Sequence, residues 1–167
     1  MGAKDVHPVN PEFVPVYWNV MCWVDSVETV DPAMGIALLL ACRRTGTVHV
    51  VLGLDSPNRY RRDPSASVER VDPLTPELID RMSTSLAGLY ANMGGDAINV
   101  HTMVLPGHPV EEVRRYARHH DIDLIVIGDQ ALKAEEAFGK CLLSDPPCQV
   151  VLAASGKKLL SHLSRKE

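Results

Sequence analysis

Short apolar runs alternate along this chain with stretches whose apolar residues recur at helical spacing. The clearest run is Leu124-Ile125-Val126-Ile127, entered at Asp123 and stopped by Gly128. It is unbroken and mostly β-branched, which predicts a strand covered on both faces. Before it, Val110, Val113, Tyr116 and Ala117 mark one face of a helix over Pro109 to His120. Further strands are predicted over Val16 to Val24, Val48 to Leu54, Ile98 to Leu105 and Cys148 to Ala154. Helices are predicted over Ala33 to Cys42, from Thr75-Pro76 to Gly94-Gly95, and briefly over Lys133 to Phe138, where Pro146-Pro147 bars continuation. Strands separated by helices argue for a parallel α/β sheet.

The ends of these elements carry ordinary signals. Asp31-Pro32 offers an N-cap followed by proline at the first helical position. Ala33 to Cys42 is apolar nearly all round apart from Gly35, so deep burial is expected, with Arg43, Arg44 and Gly46 at its close. Leu78, Met82, Leu86, Leu89, Tyr90 and Met93 read as core. The chain divides into an extended proline-bearing arm (1–15), one domain (16–154) and a tail (155–167) in which Leu159, Leu160 and Leu163 suit an amphipathic turn. The polar segment 55–72, with Arg59, Arg61, Arg62 and Arg70, reads as a solvated loop, the alternative being a lid that contacts phosphate.

Composition narrows the function classes. The chain has 167 residues, 46% of them hydrophobic and 23% charged, with net charge −4, which fits one globular domain without the basic stripe of a nucleic-acid binder. No apolar run is long enough for a membrane span, and Met1 to Pro15 lacks the apolar centre of a signal peptide, so a cytoplasmic protein is expected. Cys22, Cys42, Cys141 and Cys148 form no Cys-x-x-Cys pair and are read as free thiols, a Cys141–Cys148 redox pair being the alternative. His119-His120 suits a helix C-terminus. His49, His101 and His108 read as ordinary packing, and no Ser/His/Asp or Cys/His set has a spacing that gathers it at one strand end. No enzymatic activity is expected.

In parallel sheets ligands sit at the carboxyl ends of strands, where the strand order reverses. Asp25 and Gly128 stand at two such ends. Asp25 with Ala33 and Ala37 after it, Asp-Leu-Ile-Val-Ile-Gly at 123–128, the passage Pro106-Gly107-His108-Pro109-Val110-Glu111-Glu112-Val113 and the closing Gln149-Val150-Val151-Leu152 together resemble the universal stress protein family. The resemblance spans Val16 to Ala154. It implies a three-layer α/β/α domain of the adenine nucleotide α-hydrolase-like type, with a five-stranded parallel sheet in the order 3-2-1-4-5. Asp25 and Gly128 would then face each other across the crevice. The site residues it implies are Asp25, Gly53, Ile127, Gly128, Gln130, Ala131, Gly139 and Lys140. A homodimer through the last strand, Cys148 to Ala154, is implied as well, that strand being an uncharged, proline-free sheet edge.

ATP-binding members of the family carry Gly-x-x-Gly and a later Gly-Ser or Gly-Thr, whose backbone amides cradle phosphate. Here Gly128 matches the first glycine, Ala131 stands at the second, and Cys141 at the third, with Gly139-Lys140 as the nearest substitute. If the second position needs a left-handed backbone, alanine costs roughly 1–2 kcal/mol there. Asp129, Glu135 and Glu136 add negative charge against Lys133 and Lys140. A carboxylate about 6 Å from a phosphate charge costs roughly 3 kcal/mol at an effective dielectric of about 20. The expectation is a non-catalytic regulatory or stress-response protein with weak or no ATP binding and no certain cofactor. The alternative is a switch of the same family that binds AMP or ATP through a modified loop and attends a transporter or another protein partner. An enzyme of the wider fold would need a glycine-rich Ser-Gly-Gly-x-Asp-Ser loop after the first strand, where this chain reads Val24-Asp25-Ser26-Val27-Glu28.

Overall fold

A computed structural model describes residues 17–41, 45–54, 75–107, 109–134 and 136–153. The expected arm, the arginine-bearing segment 55–72, the tail 155–167, Cys42 and His108 lie outside the described residues. Ten elements follow in order: β1 (Asn19–Val24), α1 (Ala33–Leu40), β2 (Thr47–Leu54), α2 (Pro76–Tyr90), β3 (Asn99–Pro106), α3 (Pro109–His119), β4 (Leu124–Gly128), α4 (Asp129–Ala134), α5 (Glu136–Ser144) and β5 (Gln149–Ala153). All strand pairs are parallel, in the order β3-β2-β1-β4-β5, as the resemblance implied.

Alternation along the strands makes the two core layers. Val20, Cys22 and Val24 of β1 face α1 and α2, together with Val50, Leu52, Leu124 and Val126. Met21 and Trp23 face the other way with Ile125 and Ile127, under Val113, Tyr116, Ala131 and Leu142 of the helices α3, α4 and α5. β4, which lies between the central strand β1 and the edge strand β5, is buried along its whole length. Asp123 joins β4 to β1 at their amino ends, its Oδ2 accepting from the backbone N–H of Trp18 (2.8 Å) and Asn19 (3.0 Å).

Several expectations need correction. α1 is not buried all round: only Ala33, Met34 and Ala37 are, while Leu39 is 72% exposed. A short helix lying on a sheet touches it along one stripe, and here that stripe is Ala33, Met34 and Ala37. Met93 is 38% exposed, because α2 ends at Tyr90 and Met93 lies in the turn beyond. The helix expected to stop near Phe138 resumes as α5 and reaches Ser144, since Pro146 is far enough away to leave it room. α2 starts at Thr75-Pro76 as expected, and Thr75 caps it, its Oγ1 accepting from the N–H of Leu78 at 3.2 Å.

Candidate functional site

Strand register sets the candidate site. Val24 pairs with Leu52 and Trp23 with Ile127, so Asp25 just past β1, Gly53 next to last in β2 and Gly128 at the end of β4 stand at nearly the same level on neighbouring strands. β1 leaves toward α1 on one side of the sheet, and β4 leaves toward α4 on the other. The crevice between them is the place where the order reverses.

The residue that occupies this crevice is Asp31. A Cβ added to Gly128 would lie 2.9 Å from Asp31 Oδ1 and 3.2 Å from Oδ2, so the carboxylate rests against bare backbone at the end of β4. Its Oδ1 accepts from the N–H of Ala33 at 2.9 Å, the local turn that Asp favours before a helix. Its own N–H donates to the Tyr90 hydroxyl at 2.8 Å, tying the loop to the end of α2. Burial pushes the Asp31 carboxyl above the usual range; the Ala33 N–H pulls the other way, and the carboxylates of Asp25 and Asp129 add to the rise. Tyr90 is pushed up to about 12, chiefly by burial. Cys22, below Asp31 in β1, is pushed up by burial and then by Asp31, which leaves its thiol protonated and inert.

Of the residues named from the sequence, Asp25, Gly53 and Gly128 come together. Ile127 contributes backbone only, since its side chain is buried in the α3 layer. Gln130 falls in the first turn of α4, and Ala131 is buried within that helix. Ala131 adopts no left-handed conformation: among the described non-glycine residues only Asp121 has positive φ. The strain expected at Ala131 is therefore absent, because a helix stands where the loop was expected. Gly139 and Lys140 lie inside α5. Gly139 has a packing reason to be glycine, since a Cβ there would come within 2.6 Å of Leu132 Cδ2. Lys140 is exposed.

Two features were missed in the sequence. Asp31 was read only as a cap and Tyr90 only as core, whereas their pairing shapes the crevice. The second is a histidine cluster. His49 is 6% exposed, pairs in register with His101, and has Nδ1 2.8 Å from the Tyr116 hydroxyl. Its ring lies 5.7 Å from that of His101 and 5.4 Å from that of His120, and its Nε2 is buried without a partner. Burial, then the charges of His120 and His101, hold His49 down to about 4. The signal was available: both strands carry histidine at the third position, and parallel register sets those positions side by side. Among the described residues, no group of three or more His, Cys, Asp or Glu is placed to hold a metal. Among them Cys22, Cys141 and Cys148 are free thiols, so the alternative Cys141–Cys148 disulfide is not formed.

Five parallel strands in the order 3-2-1-4-5, with helices on both faces and a crevice between β1 and β4, form the fold of the adenine nucleotide α-hydrolase-like type. The universal stress protein family matches residues 17–145, and the chain belongs to that family. Among solved structures it is similar to the hypothetical protein MJ0577, with TM-score 0.63 and 15% identity, covering 85% of this chain and 99% of that one. The hypothetical protein PH0823 matches with TM-score 0.59 and 17% identity, over 84% of this chain and 98% of that one. The universal stress protein UspA from Lactobacillus plantarum matches with TM-score 0.52 and 22% identity, over 83% and 98%. Among curated proteins none matches the chain. Among the described residues no helix is long and apolar enough to cross a membrane.

Proposed function

We propose that this protein is a non-catalytic, dimeric regulatory member of its family whose crevice binds ATP weakly or not at all. The observation that carries this reading is the direct passage from β4 into α4 at Gly128, with Ala131 buried in that helix and Gly139 packed on Leu132 in the next. A glycine-lined loop would offer several backbone N–H groups to phosphate; here the corresponding residues are spent on helix packing. Asp25, Asp31 and Asp129 oppose an anion at the same place. The absence of catalysis is supported by the glycine-free segment after β1, which lacks the loop an enzyme of this fold would use. Family membership and free thiols fit a cytoplasmic setting. Calorimetry with ATP tests the reading: weak or absent heat is expected, and sub-micromolar affinity would overturn it.

Dimerisation is supported by β5, which lies at a sheet edge and carries neither charge nor proline. Its Gln149 and Leu152 remain half-buried within one protomer, and an antiparallel partner strand about a two-fold axis would cover them. Sedimentation at micromolar concentration should show a dimer that Val151→Lys weakens; a monomeric native protein defeats this part of the proposal.

A second reading, a switch that binds AMP or another adenine compound, draws on the convergence of Asp25, Gly53 and Gly128 at adjacent strand ends. In that case Asp25→Ala should abolish binding of the compound.

A further inference from the structure

His49 is flanked in register by Met21 of β1 and His101 of β3. The end of α3 lies against it, with the Tyr116 ring at 5.6 Å and the His120 ring at 5.4 Å. His119 in turn lies 5.4 Å from His120. His101, His119 and His120 are exposed, so His49 is the buried member of a chain of imidazoles in ring contact. A proton on His49 would give its ring an N–H donor at each nitrogen. Nδ1 has the Tyr116 hydroxyl at 2.8 Å, but the buried Nε2 has no partner among the described residues. The new charge would face the imidazoles of His101 and His120. Glu112, the acid that lines the adjoining cavity of about 210 Å³, is already joined to Arg115 at 2.9 Å. The groups around the ring therefore supply a charged His49 with neither a second acceptor nor a free carboxylate, and only water can satisfy it. Water reaches the ring when Tyr116 and His120 move off it. Both belong to one short terminal turn, closed by the His120 N–H on Tyr116 O (3.0 Å) and the Ile122 N–H on Ala117 O (2.9 Å). Units of this size open at a lower free energy than the paired strands beneath them.

We propose that this cluster is a proton-operated latch: in acid His49 takes a proton, and the turn formed by residues 116–122 lifts from β2 and β3 while the parallel sheet stays paired. Histidines packed neutral beneath a movable element are a general means of sensing pH. Release uncovers apolar surface of β2 and β3 around Val51 and Leu105. The latch needs no ligand and is independent of what the β1/β4 crevice binds.

The test is native-state hydrogen exchange of the full chain, followed by NMR at the His120 and Ile122 amides and at those of β4. Rates are expressed as protection, which removes the intrinsic pH dependence of exchange. His49 titrates at about 4 when closed and near 6.5 when freed, so protection of the turn should fall about twentyfold between pH 7 and pH 5. The fall should be the same in low urea, because a local opening exposes little surface, whereas β4 protection should decline with urea. Turn amides that share the urea dependence of β4 would mean that protonation unfolds the whole chain, and the latch would be overturned. In His49→Gln the fall should shrink to less than about threefold; a fall as large as the native one removes His49 from the mechanism. If that variant does not fold, the double variant His101→Gln with His120→Gln, at exposed positions, takes its place. It removes the charges that oppose a proton on His49 and should lessen the fall, and an unchanged fall overturns the proposal.

Discussion

Asp31 and His49 are polar groups set into the same sheet, and burial opposes the charge of each, yet the two surroundings differ. Asp31 is half-buried at the open end of the β1/β4 crevice, where burial raises its carboxyl. His49 is enclosed between β2, β3 and α3, where burial lowers its imidazole to about 4. The first retains its neighbours' negative charge and faces the place a ligand would enter. The second has traded charge for packing: its Nδ1 meets Tyr116, and Tyr116 in turn lies 4.1 Å from the ring of His120. A shifted titration thus accompanies an open crevice in one case and a closed structural cluster in the other. Access separates them, since the physical cause is shared.

The largest test of this contrast is acid stability. An unfolded histidine titrates near 6.5, and folded His49 at about 4, so between these values the unfolded chain takes a proton that the folded chain refuses. Stability from His49 is full above pH about 6.5 and drains as pH falls to about 4, for a loss of about 3 kcal/mol. Asp31 works in the opposite sense: with its folded carboxyl raised, its contribution is full at pH values below the unfolded carboxylate range and is lost as pH rises through the raised value. Urea unfolding at a series of pH values should show the His49 loss in native protein, and His49→Gln should remove it; an equally steep loss in the variant would refute the assignment.

Gly128→Ala should come next. The new Cβ meets the Asp31 carboxylate at 2.9 Å, and overpacking of this kind costs about 1–3 kcal/mol. In an Asp31→Ser background the cost should shrink, and a double-mutant cycle measures that coupling. Smaller still is the difference between the two tyrosines. Tyr116→Phe leaves a buried imidazole nitrogen unpaired and should cost about 1–3 kcal/mol, whereas Tyr90→Phe removes the acceptor of the half-buried Asp31 N–H and should cost about 1 kcal/mol. Equal losses would mean that the crevice is as closed as the cluster. Gly139→Ala should have the least effect, within about 1 kcal/mol, since helix propensity gained offsets the contact with the flexible end of Leu132. It should leave any ligand-induced shifts unchanged; altered shifts would bring α5 into the site.

Much of the frame was legible because period and punctuation are local. The apolar run at 124–127 and the spacing of Val110, Val113, Tyr116 and Ala117 stated their own burial. Asp25 and Gly128 were found because a strand's end can be read where its apolar run stops. Asp31 was not found as part of the crevice, since its position depends on how the turn before α1 folds back over β4. The histidine cluster depended on register between β2 and β3, which no single segment specifies. Gly139 misled because its small size serves helix contact, and a glycine count does not distinguish that from a phosphate loop. Leu39 misled in the other direction: its apolar neighbours promised a core, but they lie on the side of α1 that meets the sheet.

The carboxylate of Asp123 on the N–H groups of Trp18 and Asn19 also bears on how the chain assembles. Trp18 and Asp123 are 105 residues apart in sequence. β1 gains β2 on one flank early in synthesis, but its other flank waits until α3 has been made and β4 follows. Closure over so long a stretch carries an entropic cost that only the central strand pairing repays. Until then β1 presents an apolar edge to whatever strand is nearest, so a nascent chain halted before Asp123 is the form most exposed to mispairing.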